Sequence, residues 1–215
     1  AGLKGTNVKR IGHNDLEYLE KTLKETKDQY QTRLVIIDGV YSQDGDLSLL
    51  PEIISLCKTH EAMLMLDDAH GIGVMGANGR GTAEHFNCLG QVDIITGTFS
   101  KSFGCVGGFA AASKKIIQYL KFYADSNVFS AAPTPQVTAS ILKALEIIKK
   151  EPAIRARLWE NTDYLRSRLT TEGFDIGKSV SPIFPIMIRD NKKVYEIAKM
   201  LQEKGIFTIG IVYPA

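Results

Sequence analysis

One lysine lies where a reactive amine could do chemistry. Lys101 sits in the run G-T-F-S-K-S-F-G at 97–104, directly after the apolar, strand-like stretch 92–96. A lysine between small hydroxyl residues at the end of a buried strand is poorly placed for a solvated charge and well placed to form a Schiff base. The alternative is an ordinary surface lysine in a Ser/Gly turn. The interpretation of Lys101 therefore depends on its neighbours.

Other reactive side chains follow three apolar runs, each at the point where the run ends. They are Ser42 after the run 34–37, Asp67 and His70 after the run 63–66, and Thr98, Ser100 and Lys101 after the third run. In a doubly wound sheet the carboxyl ends of the strands share one edge, where ligands bind. We expect these six side chains to converge on one crevice. Each alone could be a helix cap, a turn residue or a satisfied loop histidine, but their coincidence at successive strand ends favours a site.

A phosphate-bearing aromatic cofactor would use all of these groups. Thr98 and Ser100 can donate hydrogen bonds to a phosphate, and Asp67 can keep a ring nitrogen protonated. Lys101 can bond an aldehyde as an imine. The set predicts pyridoxal 5'-phosphate, whose protonated ring acts as an electron sink. We also expect Lys101 to be buried, because burial would lower its pKa and free the amine to take a proton at neutral pH.

Alternating elements must position these groups. Short apolar runs alternate with amphipathic stretches, which predicts an α/β fold with a mostly parallel sheet and helices on both of its faces. The predicted helices span about 13–30, 51–60, 113–124, 135–150, 152–171 and 192–204, and the predicted strands 34–37, 63–66, 92–96, 107–112, 183–188 and 206–212. A boundary at Glu151 and Pro152 divides a large domain, 1–150, from the start of a smaller α+β domain, 151–215.

Composition narrows the class of protein. The 215 residues are 44% hydrophobic and 23% charged with a net charge of +2, which is typical of a globular protein and gives no reason to expect a nucleic-acid partner. No apolar run has the length of a transmembrane segment. The three cysteines, at 57, 88 and 105, have neither zinc spacing nor a disulfide framework, so we expect reduced thiols, a cytoplasmic location and no metal site.

Three longer motifs resemble those of the α-oxoamine synthases, which are fold-type-I pyridoxal-phosphate enzymes. They are L-D-D-A-H-G at 66–71, G-R-G-T-A-E-H-F at 79–86 and T-F-S-K-S-F-G at 98–104. The family condenses an amino acid with an acyl-CoA, with loss of carbon dioxide, to an α-aminoketone. It includes serine palmitoyltransferase of sphingolipid biosynthesis and 8-amino-7-oxononanoate synthase of biotin biosynthesis. The run F-S-A-A-P-T-P at 129–135 looks most like the bacterial palmitoyltransferases.

The resemblance implies a role for each residue that matches the motifs. Lys101 would bond the cofactor aldehyde and, once displaced by the amino acid, take its α-proton. Asp67 would pair with the pyridine nitrogen, and His70 would contact the ring hydroxyl. Ser42 would lie beside the cofactor.

The resemblance also implies a phosphate site shared between subunits. Thr98 and Ser100 would bind the phosphate of their own subunit's cofactor. The loop with Ser130 and Ala131 would reach the phosphate of the neighbouring subunit. We therefore expect a homodimer with shared active sites.

Two functional residues of the family are missing, which predicts that the chain is the central fragment of a longer enzyme. Family members have roughly 400 residues, as suits a two-domain enzyme. A histidine that stacks on the cofactor should precede Ala1, and an arginine that binds the substrate carboxylate should follow Ala215. The lack of a starting methionine and a predicted strand end at 213–215 agree with a fragment. We expect the fragment alone to be inactive.

Two other functions remain open. Another fold-type-I enzyme, such as a glycine C-acetyltransferase, an aminotransferase or a carbon–carbon lyase, could share the lysine and the aspartate. A non-catalytic partner subunit is the alternative that is not an enzyme, and the presence of Lys101 argues against it.

Overall fold

The sheet has the predicted class. A computed structural model describes residues 6–212, and within them four strands form one sheet in the order β1 (Leu34–Asp38), β2 (Met63–Asp67), β3 (Ile94–Thr98) and β4 (Gly108–Ala112). The first three strands are parallel, and β4 pairs antiparallel with β3. The molecule is therefore an α/β protein with a mixed, mostly parallel sheet, as the alternation of apolar runs predicts.

Helices connect and follow the strands. They are α1 (Leu16–Glu25), α2 (Leu50–Thr59), α3 (Thr82–His85), α4 (Lys114–Tyr123), α5 (Asp125–Val128), α6 (Pro135–Lys150), α7 (Pro152–Thr171) and α8 (Asn191–Glu203). Local chemistry explains where several begin. The Asp15 carboxylate accepts a hydrogen bond from the Tyr18 backbone N–H at 2.9 Å and caps α1. Pro152 begins α7, where a missing N–H costs nothing.

The hydrophobic core lies where α1 and α2 pack against β2. Leu50 and Leu66 are fully buried, and Leu64 is nearly so. Alternate residues of β2 face this core, as the period of a strand requires. The core thus supports the strand that carries Asp67 at its carboxyl end.

Two of the predicted strands are wrong. The segments 183–188 and 206–212 are not in strands, and Phe207 and Ile209 are 83% and 88% exposed. A β-propensity pattern forms a strand only when another strand supplies hydrogen-bond partners, and neither segment has one within the described residues. The strand end predicted at 213–215 lies outside the described residues. No helix within 6–212 combines the length and apolarity needed to span a bilayer.

Candidate active site

The carboxyl ends of β1, β2 and β3 meet at one edge of the sheet. Asp38 and Asp67 are direct neighbours in the β1–β2 register, and Asp67 is the neighbour of Thr96 in β3. Hydrogen bonds continue the ladder beyond the strands, since the Gly39 N–H donates to the Asp67 carbonyl at 2.8 Å. The loops that leave the three strands therefore start from fixed positions.

A cleft of about 150 Å³ opens at this edge, and we call it the strand-end cleft. Its lining comprises Asp38, Val40, Ser42, Asp67, Ala69, His70 and Lys101. The structure thus brings together four of the six residues that the sequence predicted to converge. A larger cavity of about 540 Å³ lies between Gly73, Ser102 and the helices α6 and α7, but its walls are mostly aliphatic. The chemistry-bearing groups identify the smaller cleft as the candidate site.

Lys101 lies in a tight turn after β3. Its carbonyl accepts a hydrogen bond from the Gly104 N–H at 3.0 Å, and the hydroxyl of Ser102 donates to the Ile72 carbonyl at 2.7 Å. The expectation that Lys101 is buried is wrong, because the residue is exposed at the open side of the cleft. The turn is held by its neighbours, and Lys101 lines the cleft.

Asp67 is half-buried, and its backbone geometry is defined locally. Its carboxylate accepts a hydrogen bond from the Ala69 N–H at 3.0 Å. That bond closes a short turn which carries the chain from β2 towards His70. Asp67 also lines the cleft, so its carboxylate can accept a hydrogen bond from a donor there.

Asp38 is a cleft residue that the sequence interpretation missed. Asp38 is exposed as a residue, but the surrounding cleft desolvates its carboxyl group and raises the pKa, the nearby Asp67 carboxylate raises it further, and His70 and Lys101 oppose the rise. A signal was present in the sequence, because β1 and β2 both end in an aspartate after an apolar run. The parallel register then places the two carboxylates side by side.

His70 completes the group of ionisable side chains. Burial lowers the pKa of its imidazole, and the positive charge of Lys101 lowers it further, while Asp38 and Asp67 act in the opposite direction. A neutral imidazole has one donor and one acceptor nitrogen. At neutral pH His70 can therefore donate a hydrogen bond to an oxygen in the cleft without carrying a charge.

Thr98 and Ser100 form a separate hydroxyl pair at the end of β3. Their hydroxyl oxygens are 2.8 Å apart, and the Ser100 N–H donates to the Thr98 Oγ1 at 3.2 Å. Neither is among the residues that line the cleft, although Ser100 directly precedes Lys101. The pair offers hydroxyl and backbone donors beside the lysine turn, which is a suitable arrangement for an anion.

Ser130 and Ala131 lie apart from the strand-end cleft. They follow α5 in the connection to α6, and both are exposed. They do not line the cleft of their own chain. Their predicted contact with the phosphate of a neighbouring subunit stays a prediction.

A further group of ligand-type side chains lies outside the cleft. Atoms of His13, Asp44 and Asp46 come within 4.8 Å of one another. The His13 Nε2 and Asp46 Oδ2 atoms are 2.7 Å apart and already form a hydrogen bond between the segment before α1 and the loop after β1. The expected absence of a metal site stays a prediction.

Comparisons with known proteins agree with the motifs. The family described as aminotransferase class I and II matches residues 2–215. A serine palmitoyltransferase of Sphingobacterium spiritivorum is 45% identical over 213 residues, which are 99% of this chain and 53% of that protein. An 8-amino-7-oxononanoate synthase of Petrotoga mobilis is 47% identical over 216 residues, 99% of this chain and 55% of its own length. The chain thus spans about half the length of these relatives.

A solved structure matches in fold as well. The serine palmitoyltransferase of S. paucimobilis with a bound PLP-myriocin aldimine superposes with a TM-score of 0.88 and 30% identity, over 95% of this chain and 53% of that one. The resemblance inferred from the three motifs is confirmed by these matches. The mostly parallel sheet of the present chain therefore has the architecture of a fold-type-I transferase.

Proposed function

Because this chain belongs to the aminotransferase class I and II family, we propose that it carries the cofactor site of a pyridoxal-phosphate-dependent C-acyltransferase. The reaction joins the α-carbon of an amino acid to the acyl carbon of an acyl-CoA. The thioester C–S bond breaks and releases CoA as its thiol, the bond from the α-carbon to its carboxylate breaks and releases carbon dioxide, and a proton is returned to the α-carbon. The names of the relatives favour a serine palmitoyltransferase or an 8-amino-7-oxononanoate synthase.

One observation carries the proposal. Asp67, His70 and Lys101 come from two different strand ends and line the same cleft of about 150 Å³. A carboxylate, a neutral imidazole and a primary amine around one small space are the groups that pyridoxal phosphate requires. The cleft is open, so a planar ring can enter it. The residues present therefore fit the cofactor.

The proposed roles follow from the position of each group. Lys101 would hold the cofactor covalently through Nζ, and Asp67 would bind the protonated ring nitrogen. His70 would donate a hydrogen bond to the ring hydroxyl, as its lowered pKa allows. Ser42 would lie along the ring. When bound, the cofactor supplies an electron sink that stabilises negative charge on the substrate α-carbon.

The phosphate would lie beside the lysine turn. Thr98 and Ser100 there offer two hydroxyl groups 2.8 Å apart. We propose that the Lys101 amine would be the base that takes the substrate α-proton, and its exposed position leaves the side chain free to move. The Asp38 carboxylate, which lines the same cleft as Lys101, would stabilise the protonated amine.

A homodimer is part of the same proposal. No residue of α4, α5 or α6 is buried, and Phe122 and Phe129 are 78% and 84% exposed. A partner subunit would cover this surface. Ser130 and Ala131 would then lie close to the phosphate of the partner's cofactor. We also propose a cytoplasmic location, which the three free cysteines support.

The domain division also remains a proposal. Residues 1–150 would form most of the large domain, and 151–215 would begin the smaller one. The Trp159 Nε1 donates to the Val74 carbonyl at 3.1 Å, so α7 also braces a loop of the large domain. Since the chain spans about half of its relatives, we propose that turnover needs the full-length protein.

The test is a product assay on the full-length protein. Glycine, alanine and serine are each combined with short, pimeloyl and long-chain acyl-CoA, and CoA release is measured. We expect one pair to give an α-aminoketone, and Lys101→Ala to lower kcat by about 10²-fold to 10⁴-fold. The matched control Lys27→Ala removes an exposed lysine from the turn after α1, outside the proposed interface helices, and should leave kcat unchanged.

The alternatives give different results in the same assay. An aminotransferase would consume the amino acid without releasing CoA. A non-catalytic subunit would lack the visible absorption band that borohydride removes and that Lys101→Ala abolishes. Either outcome would overturn the proposed function.

A further inference from the structure

Asp68 is a buried carboxylate directly beside the proposed site. Its side chain is almost fully inaccessible, at 1% exposed. Both oxygens accept hydrogen bonds from Thr82, one from the backbone N–H at 2.7 Å and one from the hydroxyl at 2.5 Å. Burial raises the pKa of Asp68, and the Thr82 bonds lower it. A charge buried with neutral donors is expensive, so its retention needs a reason.

Three chain segments pack against this carboxylate. A Cβ atom on Gly39, Gly71 or Gly81 would collide with an Asp68 oxygen. Gly39 begins the loop after β1, Gly71 lies in the loop after β2, and Gly81 precedes α3. Gly81 also has a φ of 94°, which favours glycine. The Asp68 side chain therefore fills the point where these three segments meet.

The Asp68 backbone links two further parts of the same edge. Its N–H donates to the Thr96 carbonyl in β3 at 2.8 Å. Its carbonyl accepts from the N–H groups of Gly71 and Ile72, both at 3.0 Å. The residue is thus bonded to the strand that leads to Lys101 and to the loop that carries His70.

Cleft residues flank Asp68 on both sides. Asp67 precedes it directly, and Ala69 and His70 follow it, while Val40 follows Gly39 on the adjacent loop. A shift of Asp68 would move all of them. In contrast, Asp68 itself does not line the cleft.

We propose that Asp68 and Thr82 form a positioning pair that fixes Asp67 and His70 in the geometry needed to hold the cofactor. The proposal rests on the proposed function. Asp68 acts through its neighbours and is not itself a catalytic residue. The proposal predicts that the Thr82 hydroxyl affects the chemistry of the cleft, although Thr82 is fully buried and does not line the cleft.

The experiment uses Thr82→Val, which removes the hydroxyl at nearly constant shape, and Asp68→Asn, which removes the charge. Thr82→Ser keeps the hydroxyl and serves as the rescue. The matched control is Thr26→Val at the C-cap of α1, because Thr26 is also buried and its hydroxyl donates to the Thr22 carbonyl at 2.7 Å. All variants are made in the full-length protein.

We expect Thr82→Val and Asp68→Asn to weaken pyridoxal phosphate binding and lower kcat, by up to about 10²-fold, with a smaller change in KM. In the cofactor-free protein the pKa of His70, followed by NMR, should rise towards its ordinary value as the imidazole leaves its present position. Thr82→Ser should restore each property. Thr26→Val should lose stability without changing any of them.

The proposal is overturned if Thr82→Val behaves like Thr26→Val, with lower stability but unchanged cofactor binding, kcat and His70 titration. If Asp68→Asn does not fold, the comparison of the Thr82 variants still decides. The His70 titration needs no cofactor, so it tests the positioning pair even if the wild-type protein binds no pyridoxal phosphate. That last result would overturn the proposed function instead.

Discussion

The part of the chain up to β3 and the part after β4 use their apolar residues differently. Within residues 6–212, every buried hydrophobic residue lies between Leu19 and Ile94. The helices α4 to α8 bury none, and the buried residues that follow Ile94 are polar, namely Thr162, Ser179 and Ser181. The first part therefore stabilises its own fold, whereas the second presents apolar surface that a further surface must cover.

The difference follows from what each part packs against. α1 and α2 lie on β2 in the same chain, so their apolar faces are satisfied locally. In contrast, α4 exposes Tyr119, Phe122 and Tyr123 together, and the Tyr119 and Tyr123 rings stack with their centroids 4.7 Å apart. Clustered exposed apolar side chains are typical of interaction surfaces. The strand-end cleft lies in the first part, and the residues proposed to serve a partner's site lie in the second.

The largest expected effect comes from the core. Leu50→Ala should lower the free energy of unfolding by about 2–5 kcal/mol, because it leaves a cavity in a closed core. The comparison variant is Leu142→Ala in α6. Leu50 is fully buried, whereas Leu142 is 62% exposed. Urea denaturation of the full-length protein at two protein concentrations measures both variants.

The two regions should differ in how the loss of stability depends on protein concentration. The Leu50→Ala loss should be the same at both concentrations, since the cavity lies within one subunit. The Leu142→Ala loss should grow as the protein is concentrated, because formation of the proposed dimer stabilises the wild-type protein more than the variant once the protein is concentrated enough to associate. An equal, concentration-independent loss for both would mean that α6 belongs to the core of its own subunit.

Cysteine reactivity gives a second measure of the closed core. Burial raises the pKa of the Cys57 thiol to about 11, whereas Cys105 lies outside the core and is partly exposed. At pH 8 we expect iodoacetamide to label Cys57 at least about 10²-fold more slowly than a free cysteine, since the thiolate is the reactive form. Peptide mass spectrometry measures both sites, and Cys57→Ser identifies the signal. Equal labelling of the two sites in the folded protein would contradict a closed core.

The open face of the second region should respond to a charge. Phe122→Glu is expected to weaken dimerisation by about 10-fold or more, because a large aromatic side chain in an interface is a common hot spot. Analytical ultracentrifugation of the full-length protein measures it. Gln118→Glu adds the same charge to the same helix and should have a smaller effect. A dimer that Phe122→Glu leaves intact would place the interface elsewhere.

The smallest expected effect tests the electrostatics of the cleft. Lys101→Gln removes a positive charge that lowers the pKa of His70, so that pKa should rise, whereas Asp38→Asn should lower it further. The pKa of His70 in the folded protein lies below its unfolded value of about 6.5. The folded protein therefore loses stability as the pH falls from the unfolded pKa to the lower folded pKa. Lys101→Gln should reduce this loss. NMR titration of the cofactor-free protein measures these changes in pKa. If neither variant changes the pKa of His70, then Asp38 and Lys101 do not act on His70 electrostatically.

The class of fold and the main residues of the cleft follow from local sequence patterns. Apolar runs that alternate with amphipathic helices predict parallel strands, and parallel strands bring their carboxyl ends to one edge. The positions of Asp67, His70 and Lys101 after successive apolar runs therefore suffice to group them. The cap of α1 at Asp15 and the start of α7 at Pro152 are equally local.

Which groups are buried and which are paired depends on how the chain folds in three dimensions. The tertiary structure brought Asp38 beside Asp67, left Lys101 exposed and joined Asp68 to Thr82 across 14 residues. It also left the segments 183–188 and 206–212 without strand partners. Periodicity and capping depend on neighbours a few residues away, so a sequence records them directly. Burial, hydrogen-bond pairing and pKa depend on residues that are distant along the chain and meet only after folding.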